Sequence, residues 1–340
     1  MKIFVTGGGG AVGKATVKRL VDHGHQVKVI GRTPGVEILG ADYEVCDIGD
    51  YLSLREAVLG FDRVVHLAAI PNPSAGTSNQ VFHSNVQGTF NVFKACEEEG
   101  IQRIVQASSI NALGVFYGLK PAPIEYLPVD EEHPCLSTDV YSFSKQMIEE
   151  IGDYYWQRSG IASVALRLPY VAAVEFHEIN KSRQDKMKDL CDRLLRLSSD
   201  ERRRWFDECW KDYNEMRARG FLETPGRIQR MRNESPDLFD QVWLPMTNRV
   251  NFWTCLDERD SAQAIEKSLM ADTLGSQVLF VNDDQNWTGV ASSVLAELFY
   301  PDVKNLKKPL VGLDTLVSID RAKQLIGFEV EYTFGNQAIL

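Results

Sequence analysis

Tyr141 and Lys145 stand four residues apart in the segment Tyr141-Ser142-Phe143-Ser144-Lys145. In a helix this spacing places both side chains on one face. An ammonium group beside a phenol favours the phenolate, so we expect Lys145 to lower the pKa of Tyr141 from about 10. A tyrosine tuned in this way can take or give the proton of an alcohol. The same spacing also occurs by chance in surface helices, so its meaning depends on the surrounding motifs.

Two serines follow a predicted strand. Ser108 and Ser109 come directly after the apolar run from Arg103 to Ala107. In open α/β sheets ligands bind outside the carboxyl ends of the strands, where such a hydroxyl could hold a substrate oxygen. The alternative is a role in a turn or a helix cap.

A glycine-rich loop opens the chain. Gly7, Gly10 and Gly13 form a T-G-x-x-G-x-x-G pattern that begins at Thr6, after the apolar run Ile3 to Val5 and before a helical pattern. Glycines let the backbone turn tightly and approach a pyrophosphate, and the helix amino terminus supplies free N–H groups. Four consecutive glycines could also form a plain turn. The strand–loop–helix setting favours a dinucleotide site.

Arg32 follows the second predicted strand, Gln26 to Ile30. A carboxylate at this place binds the ribose 2′-hydroxyl of NAD, whereas an arginine suits the 2′-phosphate of NADP. Ile30-Gly31-Arg32-Thr33 contains no acid. The cofactor is therefore expected to be NADP or NAD, with NADP favoured; Arg32 as a solvated loop residue in an NAD enzyme is the alternative.

Apolar runs alternate with amphipathic stretches through the first half of the chain. This order is typical of an α/β fold with a doubly wound parallel sheet. Gly24 is expected to end the first helix, Ser53 to Glu56 to open another as a capping box, and a long helix to run from about Tyr141 to Arg158. Further strands are expected at Arg63 to Leu67, Ala162 to Leu168 and Val278 to Val281, and a short helix at Ser318 to Gly327.

The character of the sequence changes after Pro169. We expect residues 1–170 to form the dinucleotide-binding domain, with a returning segment near 240–285, and residues 171–240 plus 286–340 to form a smaller, mainly helical substrate domain. Apolar residues in the charged region 181–220 recur at helical spacing, which predicts amphipathic helices with a solvated charged face. The two stripes comprise Met187, Leu190, Cys191, Leu194 and Leu195, and then Trp205, Cys209 and Tyr213.

The composition of the chain argues against two classes of binding partner. The 340 residues carry a formal net charge of −10, which argues against nucleic acid and anionic membrane surfaces. The sequence contains no run of about 18 apolar residues, so we expect no membrane span. The six cysteines are scattered, and no secretory signal pattern opens the chain, so we expect reduced thiols and a cytoplasmic protein. His177 and Glu178 lack a third spaced ligand, so no metal site is expected.

Taken together, these motifs resemble the extended short-chain dehydrogenase/reductase superfamily, in its NAD-dependent epimerase/dehydratase group, and are closest to its uronate- and sugar-dehydrogenase-like members. The resemblance covers almost the whole chain and implies a Rossmann fold. The landmarks are Thr6 to Gly13, Asp47, His66 to Ala69, Asn85 to Thr89, Ser108-Ser109, Tyr141 to Lys145, Leu166 to Pro169, Asp260 to Ala262 and Ser318 to Phe328.

The resemblance implies a role for each matching residue. Tyr141 would be the acid/base, Lys145 would tune it and hold the nicotinamide ribose, and Ser109, counted back from Gly114, would be the catalytic hydroxyl. His66 is expected to be structural. The helices that follow Asn85 and contain Tyr141 would form a homodimer interface. The implied cofactor-binding residues are Gly7, Gly10, Ala11, Val12, Gly13, Arg32, Asp47, Ile48, Leu67, Ala68, Ala69, Asn85, Lys145 and Pro169.

Departures from the family pattern bear on the substrate. Ser109 is followed by Ile110-Asn111 where sugar-nucleotide dehydratases carry Asp-Glu, so dehydration is not expected. Sugar-nucleotide epimerases carry an Asn where this chain has Tyr170, and a diphosphate-binding Arg at about Trp253; Arg249 lies nearby but out of register. The expected substrate contacts are Ser109, Asn111, Tyr170 and Trp253.

The sequence thus predicts an NAD(P)-dependent oxidoreductase that transfers hydride at a carbinol carbon of a sugar or sugar-acid-like small molecule. The first alternative is an NAD-dependent epimerase of a sugar or nucleotide sugar, in which hydride leaves and returns within one turnover. The second, from another class, is a non-catalytic protein that senses NADP.

Overall fold

The computed structural model describes residues 1–38, 40–173 and 176–334, and for residues 176–179 it describes the backbone alone. The prediction that His177 and Glu178 bind no metal therefore concerns side chains outside the described ones. Within the described residues no helix is both long enough and apolar enough to cross a membrane.

A parallel sheet of seven strands organises the fold. Its order is β10-β7-β5-β4-β1-β2-β3, and every pairing is parallel. The central strands are almost entirely buried, as expected where helices cover both faces of a sheet. The predicted doubly wound α/β fold is confirmed. The strands are β1 Lys2–Thr6, β2 Gln26–Gly31, β3 Asp42–Val45, β4 Arg63–His66, β5 Arg103–Ser109, β6 Tyr126–Leu127, β7 Ala162–Leu168, β8 Tyr170–Ala172, β9 Cys255–Asp257, β10 Ser276–Phe280 and β11 Asn305–Leu306.

Helices follow most of these strands. They are α1 Ala11–Asp22, α2 Tyr51–Val58, α3 Ser78–Phe82, α4 Gly88–Glu99, α5 Val140–Ser159, α6 Phe176–Leu195, α7 Ser199–Ala218, α8 Arg227–Glu234, α9 Pro236–Leu238, α10 Leu244–Val250, α11 Glu258–Met270, α12 Ser292–Phe299 and α13 Asp320–Ile326. Two short two-stranded sheets, β6 with β11 and β8 with β9, join the loops above the main sheet.

The predicted C-terminus of α1 agrees with the structure, whereas the predicted N-terminus of α2 does not. Gly24 has a positive φ of 80° one residue after the His23 cap, as predicted for a left-handed terminus. The capping box predicted at Ser53 is wrong: α2 begins two residues earlier, because the Asp50 carboxylate accepts a hydrogen bond from the Ser53 backbone N–H. Asp50 is therefore the N-cap, and Ser53 lies inside the first turn, where its Oγ donates to the Asp50 carboxylate at 2.6 Å.

The strand order reverses beside β1, which pairs with β2 on one side and with β4 on the other. At such a switch point the loops leave the sheet in opposite directions and open a crevice. The crevice lies outside the carboxyl ends of β1 and β4, where the glycine loop and the segment Leu67 to Ala69 meet.

At two places the packing of the chain differs from the predicted division into a dinucleotide-binding domain and a helical substrate domain. Residues 239–250 pack into the helical cluster with Met187 and Leu190 instead of returning to the sheet. Ile319 and Phe328 pack against the sheet core instead of joining the helical part. In both places the buried apolar side chains of the segment determine which hydrophobic cluster it joins. The first predicted stripe is buried in α6 except for Leu195, which is 43% exposed.

Candidate active site

The glycine loop joins three elements that approach closely. Gly7 has a φ of +75°, and a Cβ there would meet the Ala68 backbone nitrogen at 2.6 Å. A Cβ at Gly13 would meet the Gly7 carbonyl oxygen and, at 2.6 Å, the Gly8 Cα. Only glycine therefore lets the end of β1, the end of β4 and the start of α1 pack together.

The amino terminus of α1 fits a pyrophosphate. Helix α1 begins at Ala11, no side chain caps it, and no acidic residue stands in its first turn. A Cβ at Gly9 would project into open space, so the backbone there faces the cleft. Free N–H groups and the positive end of the helix dipole make this a site for an anion. The residues present thus fit a dinucleotide.

A cleft of about 1070 Å³ extends from this loop along the sheet edge. Eleven of the predicted cofactor residues line it: Gly7, Gly10, Ala11, Val12, Gly13, Arg32, Asp47, Ile48, Leu67, Ala68 and Ala69. Asn85, Lys145 and Pro169 do not line this cleft. Cofactor contacts by Lys145 and Pro169 stay predictions.

Side chains of both charges line the cleft, since Asp22 and Glu37 belong to its wall and Asp22 pairs with Lys18 at 2.6 Å. Arg32 is exposed there, and Lys14 and Lys18 of α1, which sequence reasoning missed, also line the wall. The position of Lys14, directly after the last motif glycine, was the available signal. The Tyr43 hydroxyl donates to the Thr33 carbonyl oxygen at 2.8 Å, which fixes the loop that carries Arg32. A Cβ at Gly31 would meet that hydroxyl at 2.6 Å.

Asn85 has a different place from the one predicted. It is 1% exposed; its amide nitrogen donates to the Ile70 carbonyl oxygen and to Ser144 Oγ, and its amide oxygen accepts from the Ile70 N–H. Because its amide is engaged by these partners, Asn85 braces the loop after β4 against α5 and does not face the cofactor cleft. The prediction that Asn85 binds cofactor is not supported.

His66 lies in the core, as the sequence predicted. Its ring nitrogens contact Thr6 Oγ1 at 2.7 Å and Thr89 Oγ1 at 2.9 Å, and burial lowers its pKa to about 3. A neutral imidazole bonded on both sides in this way links the ends of β1 and β4 to α4, which agrees with the expected structural role.

Tyr141, Ser109 and Lys145 come together above the carboxyl end of β5. Helix α5 begins at Val140 because the Asp139 carboxylate accepts a hydrogen bond from the Ser142 N–H, and this cap sets the direction of the first helical turn. The Ser109 hydroxyl lies close enough to the Tyr141 phenol to lower its pKa. Lys145 Nζ lies 5.7 Å from the Tyr141 ring centre and donates to the Ala107 carbonyl oxygen at 2.7 Å.

The predicted lowering of the Tyr141 pKa is wrong for this structure. Burial raises the pKa of Tyr141 to about 12, and the neighbouring Ser109 hydroxyl opposes the rise only in part. Burial also lowers the pKa of Lys145 to about 8. Desolvation outweighs the ammonium because Lys145 points at the strand carbonyl and not at the phenol oxygen.

A buried ion pair lies behind Lys145, and the sequence interpretation missed it. Glu149 accepts from Arg167 Nε at 2.9 Å and from Arg167 Nη2 at 2.8 Å, and Ser108 Oγ donates to it at 2.6 Å. The Glu149 charge raises the pKa of Lys145 against the effect of burial. Glu149 stands four residues after Lys145 on the same helix face, a spacing that could have identified it.

The predicted substrate residues are placed differently. Asn111 lies beside Ser109, whose Oγ accepts from the Asn111 N–H at 3.2 Å, and Tyr170 is 58% exposed after the end of β7. Trp253 is fully buried, with its ring 4.9 Å from the ring of Phe299, so it offers no surface to a substrate. The prediction for Trp253 is therefore wrong.

Arg249 also lies in the core. It donates to both carboxylate oxygens of Asp302 and to the Phe299 carbonyl oxygen, and it stacks over Trp210 at 4.1 Å. Its donors are directed to these partners, in agreement with the prediction that Arg249 is out of register for binding a substrate diphosphate.

Comparison with known proteins agrees with this geometry. Residues 3–197 match the model of the NAD dependent epimerase/dehydratase family. An L-arabinose 1-dehydrogenase (NAD(P)(+)) of Haloferax volcanii is 36% identical over 180 residues, which cover 51% of this chain and 68% of that protein. A UDP-glucose 4-epimerase of Corynebacterium glutamicum is 30% identical over 191 residues, which cover 54% of this chain and 55% of that protein.

Among solved structures, a short-chain dehydrogenase/reductase superfamily protein from Agrobacterium tumefaciens with bound NAD matches with a TM-score of 0.62. The match covers 98% of this chain and 94% of that one at 20% identity, so it bears on the fold. The family match spans more than half of the chain, and the family's cofactor, a nicotinamide dinucleotide, fits the cleft. The chain belongs to the NAD-dependent epimerase/dehydratase family of the extended short-chain dehydrogenases.

Proposed function

We propose that this protein is an NAD(P)-dependent dehydrogenase or reductase that acts at a carbinol carbon of a sugar or sugar-acid-like substrate. One observation carries the proposal: Tyr141, Ser109 and Lys145 share one buried site at the carboxyl end of β5. Similarity to an L-arabinose 1-dehydrogenase supports a sugar substrate.

Each of these three residues has a separate role in the proposed reaction. Ser109 Oγ orients the substrate oxygen, and the Tyr141 hydroxyl takes or gives its proton. When bound, the nicotinamide accepts or supplies the hydride. Lys145 keeps a positive charge beside the phenol, held against desolvation by the Glu149 carboxylate. Because the phenol has a raised pKa, proton release from Tyr141 is the step that needs added positive charge in the site.

We also propose that NADP is the favoured cofactor. Lys14 and Arg32, which line the cleft, suit a 2′-phosphate, and the second strand ends in Gly31 without an acid. Titration of the purified protein with NADPH and NADH measures this preference. Tighter binding of NADH would show that Arg32 is only a solvated loop residue.

An epimerase is the second candidate, and it is supported by similarity to a UDP-glucose 4-epimerase. The position of Arg249 disfavours it, because that guanidinium is held by Asp302 and cannot bind a substrate diphosphate. The discriminating experiment follows nicotinamide absorbance while free sugars, uronates and nucleotide sugars are screened. Net turnover with a free sugar or uronate supports the dehydrogenase; an isomerised nucleotide sugar without net turnover would reject it.

The Tyr141→Phe variant separates these enzymes from a non-catalytic NADP sensor. An enzyme loses turnover in this variant while cofactor binding is retained. A biological role that persists unchanged in Tyr141→Phe would favour the sensor.

We further propose a homodimer formed through α3, α4 and α5. Two stacked and exposed aromatic pairs lie on this face: Phe82 with Phe143 at 6.1 Å, and Phe90 with Tyr154 at 6.4 Å. Exposed apolar patches of this kind are typical of interfaces. Phe90→Glu is expected to give a monomer in sedimentation, and an unchanged oligomeric state in that variant would contradict the proposal.

A cytoplasmic location is part of the same proposal. All six cysteines are free thiols, as expected in a reducing compartment. Fractionation of cells that express the protein tests this.

A further inference from the structure

The loop of residues 114–120, called here the 114–120 loop, packs tightly against the segment that leads into α5. Gly114 has a φ of +76°, and a Cβ there would meet the Leu136 carbonyl oxygen. A Cβ at Gly118 would meet Thr138 Oγ1 at 2.9 Å, and the Lys120 N–H donates to the same hydroxyl at 3.1 Å. The position of this loop is therefore tied to the segment just before Tyr141.

The same loop carries an aromatic residue that contacts Tyr141. The rings of Tyr117 and Tyr141 lie 5.4 Å apart at 83°, an edge-to-face arrangement. The Phe116 ring also contacts the Tyr117 ring, with the ring centres 4.5 Å apart at 77°. Edge-to-face pairs of this kind contribute about 0.5–1.5 kcal/mol beyond the area they bury and fix the relative orientation of the rings.

The helical insertion, residues 176–250, reaches this loop through Arg217 near the end of α7. Arg217 is 1% exposed. Its Nε donates to the Gly118 carbonyl oxygen at 2.9 Å, and its Nη2 donates to the Val115 carbonyl oxygen at 2.9 Å and to that of Lys120 at 3.5 Å. One planar guanidinium thus spans three carbonyl groups of the 114–120 loop.

Among the described residues, the hydrogen-bond acceptors of this buried cation carry no charge. They are neutral carbonyl oxygens, with the Asn214 side-chain oxygen at 3.4 Å from Nη1 as a fourth. Taking a cation out of water without a carboxylate at hydrogen-bond distance is costly, and such groups are retained in some proteins because they specify one conformation. Arginine reaches the three carbonyls from two separate nitrogen atoms of one rigid plane, whereas the three donors of a lysine ammonium all radiate from a single atom.

We propose that Arg217 is a positioning residue that holds the 114–120 loop so that Tyr117 packs against Tyr141, which makes the helical insertion part of the catalytic apparatus. The inference rests on the proposed role of Tyr141. Residues Phe221–Glu223, directly after α7, contact Pro73–Ala75 of the loop after β4. The insertion therefore contacts loops from both sides of the site, and Arg217 fixes one of them.

The test compares two buried arginines of the same insertion. Arg217→Lys removes the fork at the 114–120 loop, and Arg249→Lys is the matched control, since Arg249 is also 1% exposed but bonds to Asp302 and Phe299. Both variants are expected to lower thermal stability. Only Arg217→Lys is expected to speed amide exchange in the 114–120 loop and to shift the ring signal of Tyr141 in tyrosine-labelled NMR spectra.

Activity gives a second measurement. Arg217→Lys is expected to reduce kcat about 10- to 100-fold, since small misplacements at a reacting centre have effects of this size. Cofactor affinity is expected to stay within about 2-fold of the parent, because the cofactor cleft is not lined by Arg217 or the 114–120 loop. Tyr117→Leu leaves Arg217 in place and is expected to shift the same Tyr141 signal.

Three results would overturn the inference: an unchanged Tyr141 signal in Arg217→Lys, an equal response in Arg249→Lys, or no response in Tyr117→Leu. If Arg217→Lys does not fold, Asn214→Ala, which removes only the Nη1 acceptor, takes its place in the same comparison. If the parent protein turns over no sugar, the proposed function fails, while the exchange and NMR measurements still decide the role of Arg217.

Discussion

Removing the charge of Glu149 is expected to destabilise the protein, because Glu149 forms a buried ion pair with Arg167. The change is Glu149→Gln, which keeps the shape of the side chain and removes its charge. Both partners are buried, with side-chain exposures of 9% for Glu149 and 5% for Arg167. The amide oxygen can still accept from Arg167 Nε and Ser108 Oγ, whereas the amide nitrogen faces Nη2, donor against donor.

The loss should be large because it leaves a buried cation unpaired. Removing one partner of a buried ion pair costs about 3–5 kcal/mol of unfolding free energy, and the retained amide oxygen places this variant near the lower limit. The matched control is Glu297→Gln, which removes an ion pair between Glu297 and Arg202. The Glu297 side chain is 56% exposed. Pairs of that kind contribute about 0–1 kcal/mol.

The assay is urea unfolding of both variants followed by circular dichroism. A second readout is the pH profile of turnover. The Glu149 charge raises the pKa of Lys145, so its removal should move the limb that reports Lys145 to lower pH, below about 8. A loss of stability no larger than that of the control would refute this reasoning, and so would a shift of the limb to higher pH.

Three further predictions concern other parts of the chain. Gly13→Ala should abolish cofactor binding in a fluorescence titration and cost about 1–3 kcal/mol of stability, because its Cβ meets backbone atoms, whereas Gly9→Ala, with open space around its Cβ, should keep parental stability; parental cofactor affinity in Gly13→Ala would contradict this. Arg32→Ala should weaken NADPH binding about 10- to 100-fold through lost charge-assisted hydrogen bonds and leave NADH binding nearly unchanged; equal losses for both would show that Arg32 does not read the phosphate. Asp260 accepts from the Glu331 and Tyr332 N–H groups, and burial raises its pKa to about 7, so its contribution to stability is present in acid and is lost as the pH rises from about 4 through 7. Between pH 5 and pH 8 the parent should therefore lose more unfolding free energy than Asp260→Asn, and an equal loss in both would contradict the assignment.

The glycine loop and the main strands could be predicted from the sequence because their signals are local. Gly7 and Gly13 are required by backbone contacts within a few residues of each other or across one strand pair, and buried parallel strands appear as short apolar runs. The helix amino terminus of α5 is likewise set by a cap three residues away.

The surroundings of Tyr141 could not be predicted in the same way. The pKa of a phenol depends on how deeply it is buried, and the motif spacing contains no information on burial. Arg217 contacts a loop about 100 positions earlier in the chain, and no periodicity links the two. Trp253 was placed by counting from Asp260, but the chain turns through two residues of positive φ, Phe252 and Trp253, which direct the ring into the core.

The contact between residues 31 and 43 has an evolutionary consequence. A side chain at position 31 would collide with the Tyr43 hydroxyl, which is itself bonded to Thr33. An acid introduced at position 31 is therefore expected to displace the half-buried Tyr43 ring and to break its hydrogen bond to Thr33. The effect of a substitution at position 31 on cofactor preference is therefore expected to depend on the residue at position 43 of the neighbouring strand, which couples the two positions in evolution.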